Sequence, residues 1–410
     1  MKRSSCRGGG IVGMEAERSN PRFPICVLTT TRADYGILRP LLLALSKDGS
    51  LDLRLLVTGT HLSEAFGMTV REIEADGFSI DARISILENG SDAPGAMSHS
   101  MARAIEGFGS YFQDCRPALL VVLGDRYETF AVCAAAVSVC IPIAHLHGGE
   151  TTEGAMDECF RHCITKMSYL HFTAAEPYRR RVIQLGEDPA RVFNVGGLGV
   201  ENALHTDFLT PEQLESDLRF PLLQKPYVVT TFHPVTLEPG SAEAQLEELL
   251  AAIASREDLH FLITKSNADT GGQSINERLD IFKKEHSHCH VVVSLGMRRY
   301  MSALKYALCV LGNSSSGLLE APSFGIPTIN IGDRQRGRIQ AESVLNCRPE
   351  REDILRALER ACSPDFRKKA AAARNPYGDG NTSGRILEMI KRTLLAGSLD
   401  LEKWFYDIPV

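Results

Sequence analysis

The densest chemistry in this chain lies in Ala144-His-Leu-His-Gly-Gly-Glu150 and in Asp157, Glu158, Arg161 and His162 just downstream. Imidazoles and carboxylates at such spacing set one another's proton affinities. With Asp125 upstream, the set Asp125, His147, Glu150, Asp157 and His162 suits acid–base work in one cleft. Strand alternation would send His145 and His147 to the same side, the beginning of a metal site. No His-x-x-x-His or carboxylate triad completes it, and a lone strand histidine is more often hydrogen-bonded core, so no metal is assigned. Cys159 and Cys163 share a helix face, but two thiols without a second ligand pair make a poor zinc site.

A second chemistry, anion binding, is written in Asn313-Ser-Ser-Ser-Gly317. Small hydroxyl residues and a glycine follow an apolar run and open a helix whose first turn holds Glu320. Backbone amides with two hydroxyls suit a diphosphate, and Glu320 would then accept from the hydroxyls of a neighbouring ribose. A plain serine N-cap explains one serine but not three with the carboxylate. Arg334, Arg336 and Arg338 follow the next apolar run, well placed for phosphate. In Thr30-Thr-Arg-Ala-Asp-Tyr-Gly36, Arg32 would stand at a helix start where amides and guanidinium jointly hold a phosphate, although an ordinary capped turn reads the same way. The loop is neither a Walker sequence nor a dinucleotide Gly-x-Gly-x-x-Gly. His233, in Thr230-Thr-Phe-His-Pro234, ends another strand-like run and would look across a cleft; an exposed turn histidine is the equal alternative.

These groups need elements to hold them. Short apolar runs at Ile25–Thr30, Leu53–Val57, Ala118–Leu123, Ile141–His145, Leu170–Ala174 and Val192–Val195 alternate with amphipathic stretches. A second series follows at Tyr227–Thr231, Phe261–Thr264, Val291–Val293, Leu308–Leu311 and Pro327–Ile331, with helical stretches at Ala242–Ile253 and Ser316–Phe324. The alternation predicts an α/β protein of two Rossmann-like, doubly wound domains with an interdomain cleft. In open sheets of this kind the ligand lies outside the carboxyl ends of the strands. The expected division is a disordered arm over 1–22, a first domain over 23–200, a second over 201–382, and a closing helix within 383–410 that packs back across the hinge.

Composition bounds the partners. A chain of 410 residues, 44% hydrophobic, holds about two domains on the usual length prior. A formal charge of -6 argues against nucleic acid and for a small ligand met by a few placed cations. No apolar run reaches the roughly 18 residues of a membrane span, and the basic Met1–Gly10 lacks a signal core, so a cytoplasmic location is expected. The cysteine count is odd, 11, and Cys26, Cys133, Cys140 and Cys309 lie in apolar patterns as small buried hydrophobes.

Taken together, Thr31-Arg-Ala-Asp-Tyr35, Gly124-Asp-Arg126, Gly148-Gly-Glu150, Asp157 through Lys166, His233-Pro234 and Gly312-Asn-Ser-Ser315 resemble the UDP-N-acetylglucosamine 2-epimerase family, from about Ile25 to Leu395. The hydrolysing branch is the better match, because the other typically shows Gly-Thr-Arg-Pro-Glu where this chain has Arg32-Ala-Asp34. The resemblance implies a glycosyltransferase-B-like fold with UDP between the domains. It would place Arg32, Arg126, His233, Asn267, Ser314, Ser315, Glu320 and Arg334 on the nucleotide, and Asp125, Glu150, Asp157 and Arg161 around the sugar. It implies anti elimination of UDP to a 2-acetamido-glycal and then addition of water with inversion at C2, yielding a free N-acetylmannosamine-type sugar with no cofactor. It also suggests a homodimer or homotetramer.

One departure bears on substrate. Enzymes acting on UDP-GlcNAc commonly carry Glu where this chain has His147, and Thr152-Glu-Gly154 enlarges the following loop. That version resembles the branch acting on UDP-N,N'-diacetylbacillosamine on the route to legionaminic acid, with His147 shaping the pocket near sugar C4 to C6. A non-hydrolysing epimerase, a glycosyltransferase of the same fold and a nucleotide-sugar sensor are the remaining alternatives.

Overall fold

The computed structural model describes residues 22–87, 95–151, 156–234, 241–266, 272–397, 399 and 401–409. The expected N-terminal arm, all but Arg22, and the 152–154 enlargement lie outside the described residues.

The first sheet is built from β1 (Phe23–Thr29), β2 (Leu51–Thr58), β3 (Ile80–Ile84), β4 (Leu119–Leu123), β5 (Ile143–Leu146), β6 (Leu170–Thr173) and β7 (Val192–Asn194). The second contains β8 (Tyr227–Thr231), β9 (His260–Thr264), β10 (Cys289–Val292), β11 (Cys309–Gly312), β12 (Thr328–Ile331) and β13 (Val344–Cys347). Their spatial orders are β3-β2-β1-β4-β5-β6-β7 and β10-β9-β8-β11-β12-β13, with every described pair parallel. Both are doubly wound sheets, and each reverses its winding once, between β1 and β4 and between β8 and β11. The carboxyl ends at these reversals are where such sheets open a crevice.

Helices cover both faces, so the central strands are buried on both sides and mostly apolar. In β1, Ile25 and Val27 enter one core while Cys26 and Leu28 enter the other. β4 divides likewise: Leu119, Val121 and Leu123 to one side, Leu120 and Val122 to the other. The second sheet repeats the plan, with Val228 facing one core and Tyr227 and Val229 the other.

Two strands escaped the sequence reading, and both are edges. β3 alternates partly buried with exposed positions, and β13 buries only Leu345. An edge strand touches the core with one face at most, so the continuous apolar run that marked the central strands is missing. The stretch Ser316–Phe324 also differs from expectation. It is a four-residue helix, Ser316–Leu319, then a 3-10 turn, Ala321–Phe324, and Glu320 caps the break instead of lying in a first turn. Pro322, with no amide to donate, is tolerated there only because a new turn begins. Cys140 corrects another expectation: it is exposed, in a left-handed turn at φ 59°, whereas Cys26, Cys133 and Cys309 are buried.

After the second sheet the chain returns to the first. Helix Thr382–Leu395 buries Ile386, Ile390 and Leu394 in the β1 core, each contributing about 1.5–3 kcal/mol. Its first turn is held by the Glu201 carboxylate, which accepts from the Ser383 amide at 2.6 Å. Glu201 belongs to helix Leu198–His205, which follows β7, so the segment joining the sheets and the closing helix are tied together.

Candidate active site

At the first reversal, β1 runs into Thr30, Thr31 and helix Arg32–Lys47. Thr31 caps that helix reciprocally with Asp34, whose carboxylate accepts from the Thr30 and Thr31 amides at 2.8 and 2.7 Å. The capped-turn reading is therefore present in full, and it leaves Arg32 at the helix start, reaching over to Ser294 of the second half at 2.5 Å. β4 ends at Gly124, whose φ of 79° turns the chain so that Asp125 and Arg126 leave the sheet. Arg126 is gripped by the fully buried Glu128, with Nε at 3.1 Å and Nη2 at 2.9 Å.

At the second reversal, the Asn313 side chain clamps the end of β8. Its Oδ1 accepts from the His233 amide at 2.7 Å, and its Nδ2 donates to the His233 carbonyl at 2.8 Å. The Asn313 carbonyl accepts from Arg334 at 3.2 Å and Gln335 at 2.8 Å, which draws the loop after β12 onto the same cradle. Burial and the nearby Arg334 push His233 down to about 4, so at neutral pH it is an uncharged imidazole whose Nδ1 meets Ser266 Oγ at 3.2 Å.

Between the two reversals lies a cleft of about 2480 Å³, above the roughly 300–1,000 Å³ of an ordinary small-molecule pocket. Arg32 and Arg126 line it from the first half; His233, Ser314, Ser316 and Glu320 line it from the second. Ser315 instead accepts from the Leu318 and Leu319 amides at 2.9 Å through its carbonyl. Asn267 lies outside the described residues.

The acids and imidazoles are not part of that lining; they form a knot linked to it through Arg126, which acts on Asp157, and Glu320, which feels His147. Buried Arg161, on helix Asp157–Met167, donates to the Asp125 carboxylate and, at 2.9 Å, to the His147 carbonyl. His147 Nδ1 stands 3.1 Å from a Glu150 oxygen. Burial alone would raise Glu150, but His147, Arg161 and Arg338 outweigh it and hold this carboxyl down at about 2. Asp157 is displaced the other way: burial and Asp125 raise it, with Arg126 and Arg161 opposing. Two carboxyls of opposed tendency, both under the influence of Arg161, are the arrangement that acid and base roles require.

Two of the clustered residues do not join. His162 bonds Glu158 at 3.1 Å, one turn away on the same helix. His145 is buried, with Nε2 2.7 Å from the Gly124 carbonyl and Nδ1 3.1 Å from Thr165 Oγ1. Burial lowers it to about 3, so it is a neutral strut beneath the Asp125 turn. The expected alternation of His145 with His147 does not extend that far, because β5 ends at Leu146 and His147 takes a left-handed φ of 63°. Among the described residues no three His, Cys, Asp or Glu side chains are grouped to hold a metal ion.

Glu320 is buried, its Oε2 has no hydrogen-bond partner among the described residues, and a Cβ on Gly199 would come within 2.6 Å of its Oε1. Burial raises this carboxyl to about 7, against smaller opposing effects of Ser316, its own backbone, Arg338 and His147. The folded protein therefore binds a proton that the unfolded chain releases near pH 4.5. Stability from this group is fully present below that pH and is lost as pH rises through about 7. Glu320→Gln is expected to flatten that slope, which amounts to a few kcal/mol on the order-of-magnitude scale, in thermal melts at pH 4.5–8. An unchanged slope would place the titration elsewhere.

Sequence reasoning passed over Glu128, Ser266, Ser294 and the amide of Asn313, which hold the expected residues in place. Only Glu128 carried a signal, two positions after an arginine at a strand end.

The sequence pattern of the UDP-N-acetylglucosamine 2-epimerase family matches residues 43–391. The chain is 41% identical over 386 residues to polysialic acid biosynthesis protein P7 of Escherichia coli, covering 94% of this chain and 97% of that one. It is 39% identical over 345 residues to a GDP/UDP-N,N'-diacetylbacillosamine 2-epimerase (hydrolyzing) of Campylobacter jejuni, covering 84% and 88%. The fold matches the crystal structure of UDP-GlcNAc 2-epimerase from Neisseria meningitidis bound to UDP-GlcNAc with TM-score 0.78 at 18% identity, over 90% of this chain and all of the other.

Proposed function

The chain belongs to the UDP-N-acetylglucosamine 2-epimerase family, in its hydrolysing branch, and on that premise we propose that it converts UDP-GlcNAc or a close analogue to UDP and a free N-acetylmannosamine-type sugar. The observation that carries this reading is the confrontation of two strand-end sites. Arg32 and Arg126 face His233, Ser314 and Glu320 over a cleft, and the knot of Asp125, Glu150, Asp157, His147 and Arg161 adjoins it.

A hexosamine C2–H is not acidic, so its removal must be coupled to departure of a diphosphate whose charge is met by preorganised donors. Asp125, held by Arg161, takes the C2 proton as the C1–O bond breaks, and the electron pair leaves with UDP. Arg126, Ser314, the neutral imidazole of His233 and Arg334, which is drawn onto the Asn313 carbonyl, receive the diphosphate, and Glu320 the ribose. Water then adds across the glycal, its hydroxyl to C1 and a proton to C2 from the opposite side. Asp157, the carboxyl raised toward holding a proton, suits that delivery, and Glu150 orients the sugar and the water.

A second substrate, UDP-N,N'-diacetylbacillosamine, is favoured by His147 against Glu150 and by the activity for which the Campylobacter jejuni relative is named. Both sugars are tested together. In deuterated water each is incubated with the protein; hydrolytic epimerisation leaves deuterium at C2 of a free reducing sugar, and the larger kcat/KM names the substrate. Interconverted UDP-sugars without free sugar would favour a non-hydrolysing epimerase, and transfer only with an added acceptor would favour a glycosyltransferase. Among the described residues no helix is long and apolar enough to cross a membrane. The reading has the enzyme working in the cytoplasm as a homodimer or homotetramer, which light scattering decides.

A further inference from the structure

A small apolar cluster joins the two halves: Ala174, Ala175, Tyr178, Val200 and Tyr377, with Leu319 and Ile339 against it. Its two phenols close a ring of hydrogen bonds on one backbone unit. The Ile339 amide donates to Tyr178 Oη at 3.3 Å, and the Tyr377 hydroxyl donates to the Ile339 carbonyl at 3.0 Å. With the Tyr377 proton so used, the 3.0 Å bond between the phenols must run from Tyr178 to Tyr377. Two residues earlier, the Gly337 carbonyl accepts from Thr151 of the first half at 3.4 Å. The loop after β12 is thus pinned on both sides of Arg338.

Arg338 is half-buried, and among the described residues no hydrogen bond or ion pair engages its guanidinium. It nevertheless stands in the electrostatic field of Glu150, Glu320, Tyr178 and Tyr377. A cation held in place from outside and left uncommitted within is one available to a ligand.

We infer that Arg338 is a substrate-facing cation of the sugar site, carried from the second half onto Glu150 by the Tyr178–Tyr377 ring, where it donates to a hydroxyl or amide oxygen of the bound hexosamine. The inference rests on the reading given under Proposed function and adds to it a residue and a positioning device. The site is then complete only when the two halves hold this arrangement. Arg338 acts on substrate; Tyr178 and Tyr377 act through it.

The charged and titratable groups facing Glu150 are His147, Arg161, Arg338, Tyr178 and Tyr377, and Arg181 donates to the adjacent Gly149 carbonyl. Loss of the Arg338 charge raises the Glu150 carboxyl, so its ionised form disappears at higher pH on acidification. Arg338→Gln is expected to lower kcat/KM about 10–100-fold, the loss of one charge-assisted hydrogen bond, with the Kd for UDP within about threefold. The acid limb of its kcat/KM profile moves to higher pH. Added guanidinium restores part of the rate of Arg338→Ala. Tyr178→Phe lowers kcat/KM less, and adds little to Arg338→Gln because both act on one contact.

A wild-type rate and acid limb in Arg338→Gln would overturn the inference, as would a loss of UDP affinity equal to the loss in kcat/KM, which puts the guanidinium on the diphosphate. Absence of turnover by the wild type on either UDP-sugar would overturn the proposed function instead. The placement of Arg338 on Glu150 is then read from melting temperatures of Glu150→Gln, Arg338→Gln and the double variant: non-additive shifts support it, and additive shifts sink it.

Discussion

Asp125→Asn is expected to lower kcat by about two to four orders of magnitude, the range for losing a positioned proton acceptor, while the Kd for UDP stays within about threefold. Asparagine keeps the size of aspartate and can still accept from Arg161, so the Gly124 turn and the Arg161 bond to the His147 carbonyl survive. What it loses is the negative charge and the basic oxygen. UDP affinity is expected to be spared because the proposed diphosphate donors stand chiefly on the Asn313–Ser316 turn, and Arg126, although next to Asp125 in the chain, keeps its grip on Glu128. Steady-state rates with either UDP-sugar, beside calorimetric titration with UDP, make the comparison. Loss of UDP binding with turnover per bound enzyme intact would remove Asp125 from the chemistry and make it part of the nucleotide cradle.

The largest structural effect is expected from Gly312→Ala. Gly312 ends β11 at φ 139°, and a Cβ there would lie 2.0 Å from the Thr231 carbonyl oxygen of the neighbouring β8. Nothing flexible can yield, since the obstacle is backbone and the same carbonyl accepts from the Asn313 amide at 3.1 Å. The methyl is accommodated only by parting β8 from β11 at the point where the sheet reverses, which also opens the Asn313 clamp on His233. Clash, left-handed strain and broken buried hydrogen bonds together place the cost above about 4 kcal/mol. Calorimetry should show a sharply lowered melting temperature and UDP titration no measurable binding. Gly49→Ala is the control: nothing lies within 4 Å of its Cβ, and the effect should stay within about 0.5 kcal/mol. A Gly312→Ala protein that melts like the control would mean that the β8–β11 junction is loose in solution.

The central strands were legible because both faces are buried, which makes β4 an uninterrupted apolar run and β8 a β-branched one, with no competing pattern. β3 and β13 were not, since an edge exposed on one side follows its solvent neighbours as much as its core ones. The placement of the Asn313–Gly317 turn at a strand end on the cleft was also legible, because a strand that breaks into small hydroxyl residues leaves its amides and side chains nowhere to point but outward. The split at Glu320 was not. Local propensity reads Ser316–Phe324 as one helix, and only the burial of Glu320 against Gly199, from a segment over a hundred residues away, shows why the chain turns there.

Residue types and their order thus determined two doubly wound sheets, the strand ends that carry function, and the two chemistries expected of them, because burial period and strand-end composition are local properties of a chain. Pairing was decided only by tertiary structure. That Arg161 serves Asp125, that His145 is a neutral strut while His147 faces Glu150, and that Arg338 is delivered by two tyrosines all depend on separations and desolvation between elements. Coulombic and burial effects act through distance in space, and sequence spacing does not record that distance.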